Sequence, residues 1–314
     1  MTPALVRPPV REVRSRIFDS ARWSVYAPRA DDIVIATYPK CGTTWMQRIV
    51  GMLLAGSAAP APVHIPWFDF RLRGTTDETV AEAEAVSGRR RLKSHLPYDA
   101  LPVYEGVKFI HVARDGRDSA MSFHNHLFGF QPMMVEIMDQ VGLADPKFGD
   151  RAAPTPADPA VFFRDWLADG GARGDPGASY WEVERSYWAA RDDANMLLVH
   201  FADLKTDLDG EIRRIAHFLE VETGAATLAE IVSAASFEAM HEQGAVLMPG
   251  ADIAWDGGAK RFLYKGVNGR WKDVLTAEDL ADYEAKTRIE FTPALAAWLE
   301  HGRLVAGEPA LAAA

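Results

Sequence analysis

The chain has 314 residues, 48% hydrophobic and 25% charged, which suits a globular protein with room for one large α/β domain. Its net charge of −10 argues against a general nucleic-acid surface, which needs clustered Lys and Arg, and weighs against a polyanionic partner. No run of about 18 apolar residues suggests a membrane span, the stretch to Asp19 lacks the apolar centre of a signal peptide, and the single Cys excludes an intrachain disulfide, so cytoplasmic residence is the simplest reading.

After an N-terminal segment to residue 30, Ile33 to Ala36 form a short apolar run that reads as a buried parallel strand. Thr37-Tyr38-Pro39-Lys40-Cys41-Gly42-Thr43-Thr44-Trp45 follows as a tight glycine turn. Met46, Ile49, Val50, Leu53 and Leu54 then recur at helical spacing, which predicts a core-facing helix from about Thr44. A turn that ends at a helix N-terminus offers unpaired backbone N–H groups to a phosphate or sulfate. Lys40 adds a cation, Thr43 and Thr44 add hydroxyls, and Trp45 adds a flat face for a base. The nucleotide P-loop pattern G-x-x-x-x-G-K-[ST] occurs nowhere in the chain, and here the lysine precedes the glycine.

Further along, the Ala/Glu stretch at 80–86 reads as solvated helix, Arg91 to Ser94 as a shorter strand, and Val107 to Val112 and Met196 to Phe201 as central strands. Strands alternating with helical patterns predict an α/β fold, a P-loop-like central parallel sheet flanked by helices on both faces in a single domain. Ligands on such sheets bind beyond the carboxyl ends of the strands, which places Lys40, His95 and Arg114 at one edge. Residues 129–179, rich in Pro, Gly, Asp and Ala around a short helix near Pro159 to Ala168, read as a lid or substrate loop, as do residues 244–264. Residues 305–314 read as a frayed tail.

The turn at Lys40 to Trp45 resembles the 5′-phosphosulfate-binding loop of the cytosolic sulfotransferases. Three further segments resemble that family in the same order: Lys93-Ser94-His95-Leu96-Pro97, Arg114-Asp115 through Ser122, and Lys265-Gly266 through Gly269-Arg270-Trp271-Lys272. The resemblance spans about residues 30 to 290. It implies sulfuryl transfer from 3′-phosphoadenosine 5′-phosphosulfate (PAPS, leaving the bisphosphate PAP) to a hydroxyl or amine of a small acceptor, with no metal.

In that frame His95 is the general base, an imidazole being suited to take a hydroxyl proton near neutral pH. Lys40 and Lys93 stabilise charge on the leaving phosphate and on the sulfonate. Lys40, Cys41, Gly42, Thr43 and Thr44 wrap the 5′ end, while Arg114 and Ser122, with Lys265 and Gly266, hold the 3′-phosphate near a helix N-terminus. Trp45, Phe201 and Phe237 surround the adenine. Among the basic residues near the site, Arg117 is a further candidate for the pocket. The aromatic residues Trp67, Phe68, Phe70, Phe128 and Phe130 lie in segments that line the family's acceptor pocket, implying a hydrophobic or aromatic acceptor, with core packing as the competing account.

Several positions depart from the family pattern: Tyr264 stands at a usual arginine, Phe201 at a common tyrosine, Ala235 at a threonine, and Cys41 at a serine, where a helix N-terminus and Lys40 can lower a thiol pKa. Of the family's short dimer motif, Lys272 and Thr276 are kept while Ala277 and Ala281 depart from it, which leaves the oligomeric state open. A catalytically weak PAPS-binding module is one alternative, and a nucleotide-dependent kinase, without a Walker motif, is another. His124-Asn125-His126 invites a metal reading, but neighbours two apart on a helix diverge.

Overall fold

The computed structural model describes residues 2–72, 74–169 and 177–309; part of the Gly/Pro-rich stretch at 170–176 and the tail beyond 309 lie outside the described residues. Among the described residues six strands occur in order: β1 (Leu5–Arg7), β2 (Ile33–Ala36), β3 (Arg91–Ser94), β4 (Val103–Tyr104), β5 (Lys108–Ala113) and β6 (Met196–His200). β1 and β4 form a small antiparallel ladder, while the other four make a parallel sheet in the order β3-β2-β5-β6. The chain moves from β2 outward to β3, then returns to the other side of β2 as β5. The order therefore reverses beside β2, where a crevice opens beyond the strand ends.

Strand periodicity of two sends alternate residues to opposite faces. Ile33 and Ile35 pack with Met46, Ile49 and Val50 of α1 (Thr43–Ala55), and Val34 and Ala36 face the other core. The remaining helices in the first half are α2 (Thr76–Ala85), α3 (Gly116–Phe128), α4 (Pro132–Ala144), α5 (Pro159–Ala168) and α6 (Tyr180–Ala189). The second half holds α7 (Phe201–Thr206), α8 (Leu208–Phe218), α9 (Ala225–Ala234), α10 (Phe237–Glu242), α11 (Gly244–Leu247), α12 (Ala251–Ala254), α13 (Gly258–Leu263), α14 (Ala277–Glu290), α15 (Pro293–His301) and α16 (Arg303–Ala306). α1, α8 and α9 cover one sheet face; α3, α5, α6 and α15 share the core on the other. Both faces are thus covered, as expected for a parallel sheet.

In the two segments read as loops, the helix expected near Pro159 to Ala168 is α5, while α4 in the first and α11 to α13 in the second are helices that the reading did not anticipate. In α4, Met133, Met134, Val135, Ile137, Met138 and Leu143 run around the axis rather than along one stripe, so the pattern carries no clean helical period. Met134 and Met138 face the crevice, while Met133 and Ile137 are exposed.

At the sheet edge remote from the site, Arg90 and Asp32 form a fully buried pair, with Nη2 at 2.6 Å and Nε at 2.8 Å, and the Tyr26 hydroxyl donates to Asp32 at 2.7 Å. Removing one partner strands the other charge in a low-dielectric core. Arg90→Met is expected to destabilise the fold by about 3–5 kcal/mol, measured by urea unfolding, whereas a loss under about 1 kcal/mol would mean that water reaches Asp32.

Candidate functional site

The crevice beyond β2, β3 and β5 is lined by Lys40, Gly42, Thr43, Thr44, Trp45, Lys93, His95, Arg114, Ser122, Phe201, Phe237, Lys265 and Gly266. Of the residues proposed for catalysis and cofactor binding, all except Cys41 reach one cleft, although the chain separates them by more than two hundred positions. The turn is shaped by its backbone: Lys40 has φ 71° and Gly42 φ 120°, and a Cβ on Gly42 would press on Phe201 at 3.2 Å and Val112 at 3.3 Å. Gly42 caps α1 without any side-chain bond, so the first N–H groups of α1 stay available.

At α3 the situation is different. Asp115 accepts from the backbone N–H groups of Arg117 and Asp118, so this N-terminus already has its anion. The expected phosphate site at the start of α3 must therefore rely on side chains. Arg114 supplies them: its guanidinium donates to Asn268 Oδ1 at 2.8 and 3.0 Å and to the Val267 carbonyl at 3.0 Å, and lies 4.1 Å from the Phe201 ring centre. These bonds tie the loop after Gly266 to the strand end. Arg117, by contrast, is held by Asp115 and by Glu300 at 2.9 Å and does not line the cleft.

His95 is buried, its Nδ1 2.8 Å from the Thr37 carbonyl. A carbonyl only accepts, so Nδ1 carries the proton and Nε2 keeps its lone pair for the cleft. Burial, then the charge of Lys93, holds the imidazole well below its usual range, so it is neutral near pH 7. Asp69, which the sequence did not single out, organises this corner: it accepts from Trp23 Nε1 at 2.9 Å, Trp67 Nε1 at 3.0 Å and the His95 N–H at 3.3 Å. Its only local signal was its place inside an aromatic run.

Burial, reinforced by Lys93 and Arg114, brings the Lys40 ammonium down to about 7. Burial likewise brings Lys93 down to about 7, against the pull of Asp69, with its Nζ 3.5 Å from the Trp67 ring centre. Among the described residues, no carboxylate lies within 4.0 Å of the cationic groups of Lys40, Lys93, Arg114, Lys265 or Arg270. Cations converging on one cleft of an acidic chain without a carboxylate in ion-pair contact are suited to an anion.

Cys41 corrects the reading of a reactive thiol. Its side chain is fully buried, 3.2 Å from Ser119 Oγ, and burial pushes the thiol up rather than down. Only its backbone is left to face a ligand. Trp45 Nε1 donates to the Ala235 carbonyl at 2.7 Å, and its ring meets Phe201 edge-on at 5.3 Å. Phe237 packs on Gly266, where φ is 58° and a Cβ would stand 2.2 Å from the ring, so that position accepts only glycine. Tyr264 has φ 24°, with Arg270 lying 4.7 Å from its ring centre.

Of the aromatic set, Trp67, Phe70 and Phe130 line the cleft. Phe68 is core, against Trp23 at 5.2 Å and Tyr26 at 5.6 Å, and Phe128 is half exposed, stacked on His124. Residues that the sequence did not mark complete the wall, notably Ile17, Phe18, Met134, Met138, Trp255 and Phe262. His124 donates through Nε2 to the Pro156 carbonyl, away from the cleft, and His126 turns into it. No group of three or more metal-ligating side chains occurs among the described residues.

A profile of the sulfotransferase domain matches residues 30–292. The chain belongs to the sulfotransferase family. Among characterised relatives, a glycolipid sulfotransferase of Mycobacterium bovis (strain BCG / Pasteur 1173P2) is 30% identical over 313 residues, covering 92% of this chain and 94% of the relative. Mouse sulfotransferase 1B1 is 28% identical over 264 residues, 81% of this chain and 80% of its own. The fold is that of solved sulfotransferase-like structures. Mouse sulfotransferase SULT7A1 complexed with PAP superposes with a TM-score of 0.65 at 20% identity, covering 89% of this chain and 90% of that one. Retinol dehydratase in complex with retinol and PAP gives 0.66 at 21% identity, over 88% and 87%. In this sulfotransferase no described helix is long and apolar enough to cross a membrane.

Proposed function

We propose that this sulfotransferase takes PAPS as donor and transfers its sulfuryl group to a hydroxyl on a small, largely apolar acceptor, with His95 as the general base. The observation that carries the reading is the cluster of cations, none in ion-pair contact with a carboxylate, at the uncapped start of α1, with a neutral imidazole beside it. PAPS supplies the activated sulfuryl group and an anionic leaving group. In this reading Lys40, the backbone from Cys41 to Thr44 and the Thr43 and Thr44 hydroxyls hold the 5′ end. Arg114, Ser122, Lys265 and the Gly266 backbone hold the 3′-phosphate, and Arg270, beside Tyr264, supplies the charge for which the family pattern has an arginine at 264. Trp45, Phe201 and Phe237 flank the base.

His95 Nε2 takes the acceptor proton, and Lys93 stands beside it to draw the acceptor oxygen and the sulfonate together. Positioning and fixed charge do most of the work in transfers of this type. The apolar wall of Phe18, Phe70, Phe130, Met134 and Met138 supports an acceptor whose hydroxyl is attached to an apolar body. The name of the mycobacterial relatives, glycolipid sulfotransferase, supports an amphipathic one.

Titration with PAP, against AMP and ATP, tests the donor assignment by thermal shift. At about 100 times its dissociation constant PAP adds roughly 2.7 kcal/mol of stability, a rise of several degrees, while AMP gives little and Arg114→Met erases the preference. An anionic ligand favours charged Lys40, whose pKa without ligand is about 7. PAP affinity is therefore expected to hold below about pH 7 and weaken above it, with proton uptake on binding at pH 8. A shift for ATP alone would overturn the donor assignment and promote a kinase.

A further inference from the structure

His126 lies on α3, one turn beyond Ser122, at the seam between the cationic floor of the cleft and its apolar wall. Its Nδ1 is 3.4 Å from Lys40 Nζ. Its ring sits among Phe130 at 4.9 Å, Trp255 at 5.0 Å and Phe262 at 5.5 Å between ring centres. In its charged form, the one an anionic donor favours, Lys40 can only donate, so Nδ1 accepts and the ring proton is on Nε2. Nε2 has no protein partner among the described residues, yet it is not a sealed, unsatisfied atom, so it opens to the cleft. Burial, then the charges of Lys40 and Lys93, hold this imidazole well below its usual range, and like His95 it lines the cleft.

We infer that His126 is a specificity-determining residue whose Nε2–H donates to a second oxygen of the acceptor, adjacent to the hydroxyl that faces His95, so that the preferred acceptors are vicinal dioxygen compounds such as sugar diols or catechols on an apolar body. This rests on the sulfuryl-transfer reading above and narrows its acceptor class. The argument is one of satisfaction. The wall formed by Phe130, Phe262, Met134 and Met138 is apolar and the Trp255 indole N–H is sealed from solvent without a partner, so His126 Nε2–H is the donor there that loses its water when a ligand fills the cleft. An acceptor with a single hydroxyl leaves that donor unpaired, whereas one with a neighbouring oxygen pairs it. Lys40 fixes the tautomer through Nδ1, so the same lysine that meets the donor also sets which acceptors fit.

The test compares 2-naphthol with 2,3-dihydroxynaphthalene as acceptors, measuring kcat/KM for PAPS-dependent transfer by the native chain and by His126→Phe and His126→Gln. Phenylalanine keeps the ring among its aromatic neighbours and removes both nitrogens, and glutamine restores an N–H near the Nε2 position. The ratio of dihydroxy to monohydroxy kcat/KM is expected to fall about tenfold in His126→Phe and to recover in His126→Gln. Intrinsic acceptor reactivity cancels in that comparison, as does any effect on Lys40. A ratio unchanged by His126→Phe, including an equal loss on both acceptors, overturns the assignment. If the native chain binds no PAP and transfers to neither compound, it is the sulfuryl-transfer reading that fails.

Discussion

His95→Ala is expected to lower kcat for sulfuryl transfer by about 10²–10⁴ while leaving PAP affinity within a few-fold of native. The two effects separate because His95 sits against Phe18 and Trp67, and its hydrogen bond runs to the Thr37 carbonyl rather than to Lys40 or Arg114. Alanine removes the proton acceptor but leaves Thr43 bonded to Thr37 through their hydroxyls at 2.6 Å, so the turn keeps its shape. The pH profile gives a second reading. The base must be neutral to act, and burial with Lys93 nearby lowers its pKa below the ordinary 6.5. The acid limb of kcat/KM, which reports the free enzyme, is therefore expected below pH 6.5 and should vanish in the variant. Retention of transfer within tenfold of native would remove His95 from the role of base.

Lys40→Met should have the next largest effect, with opposite signs on activity and stability. Removing a preorganised charge that faces the developing anion costs about 10²–10³ in kcat. Stability should move the other way. Lys40 ionises near 7 in the folded chain and at 10.5 when unperturbed, so between those values the unfolded state binds the extra proton. Folding stability contributed by this group rises with pH through that window and is lowest at and below pH 7, where the charge is buried without a carboxylate. Methionine keeps the aliphatic stem against Phe262, from whose ring centre Nζ lies 3.9 Å, and removes the charge. The unliganded variant is expected to melt several degrees above native at pH 7, the difference shrinking toward pH 10. Lower thermal stability together with normal kcat would show that Lys40 serves the fold and not the reaction.

These two residues show how far local sequence goes. The apolar run at Ile33 to Ala36, the helical spacing from Met46 and the glycine turn between them are local signals, because strand pleat, helix pitch and positive φ each act over a few residues. They suffice to place a glycine turn at the start of α1. The ends of β2, β3 and β5 were legible for the same reason, and a parallel sheet obliges their following residues to share an edge. Boundaries differed by a residue at β5 and β6, and the helix α4 was missed, since apolar residues around its whole circumference serve both a cleft wall and an exposed face.

The chain by itself thus determined the sheet, its covered faces and the position of the turn. What sits opposite each side chain was decided by the tertiary structure alone. Asp115 closes the start of α3, Ser119 and the core bury the Cys41 thiol, Glu300 draws Arg117 out of the cleft, and His126 meets Lys40 from 86 positions away. Periodicity states which face a residue occupies but carries no information about the partner across a packed interface. Charge, burial and hydrogen-bond satisfaction depend on that partner, which is why a lysine reads as a cation in the sequence and becomes, once folded, an ammonium poised near neutral pH.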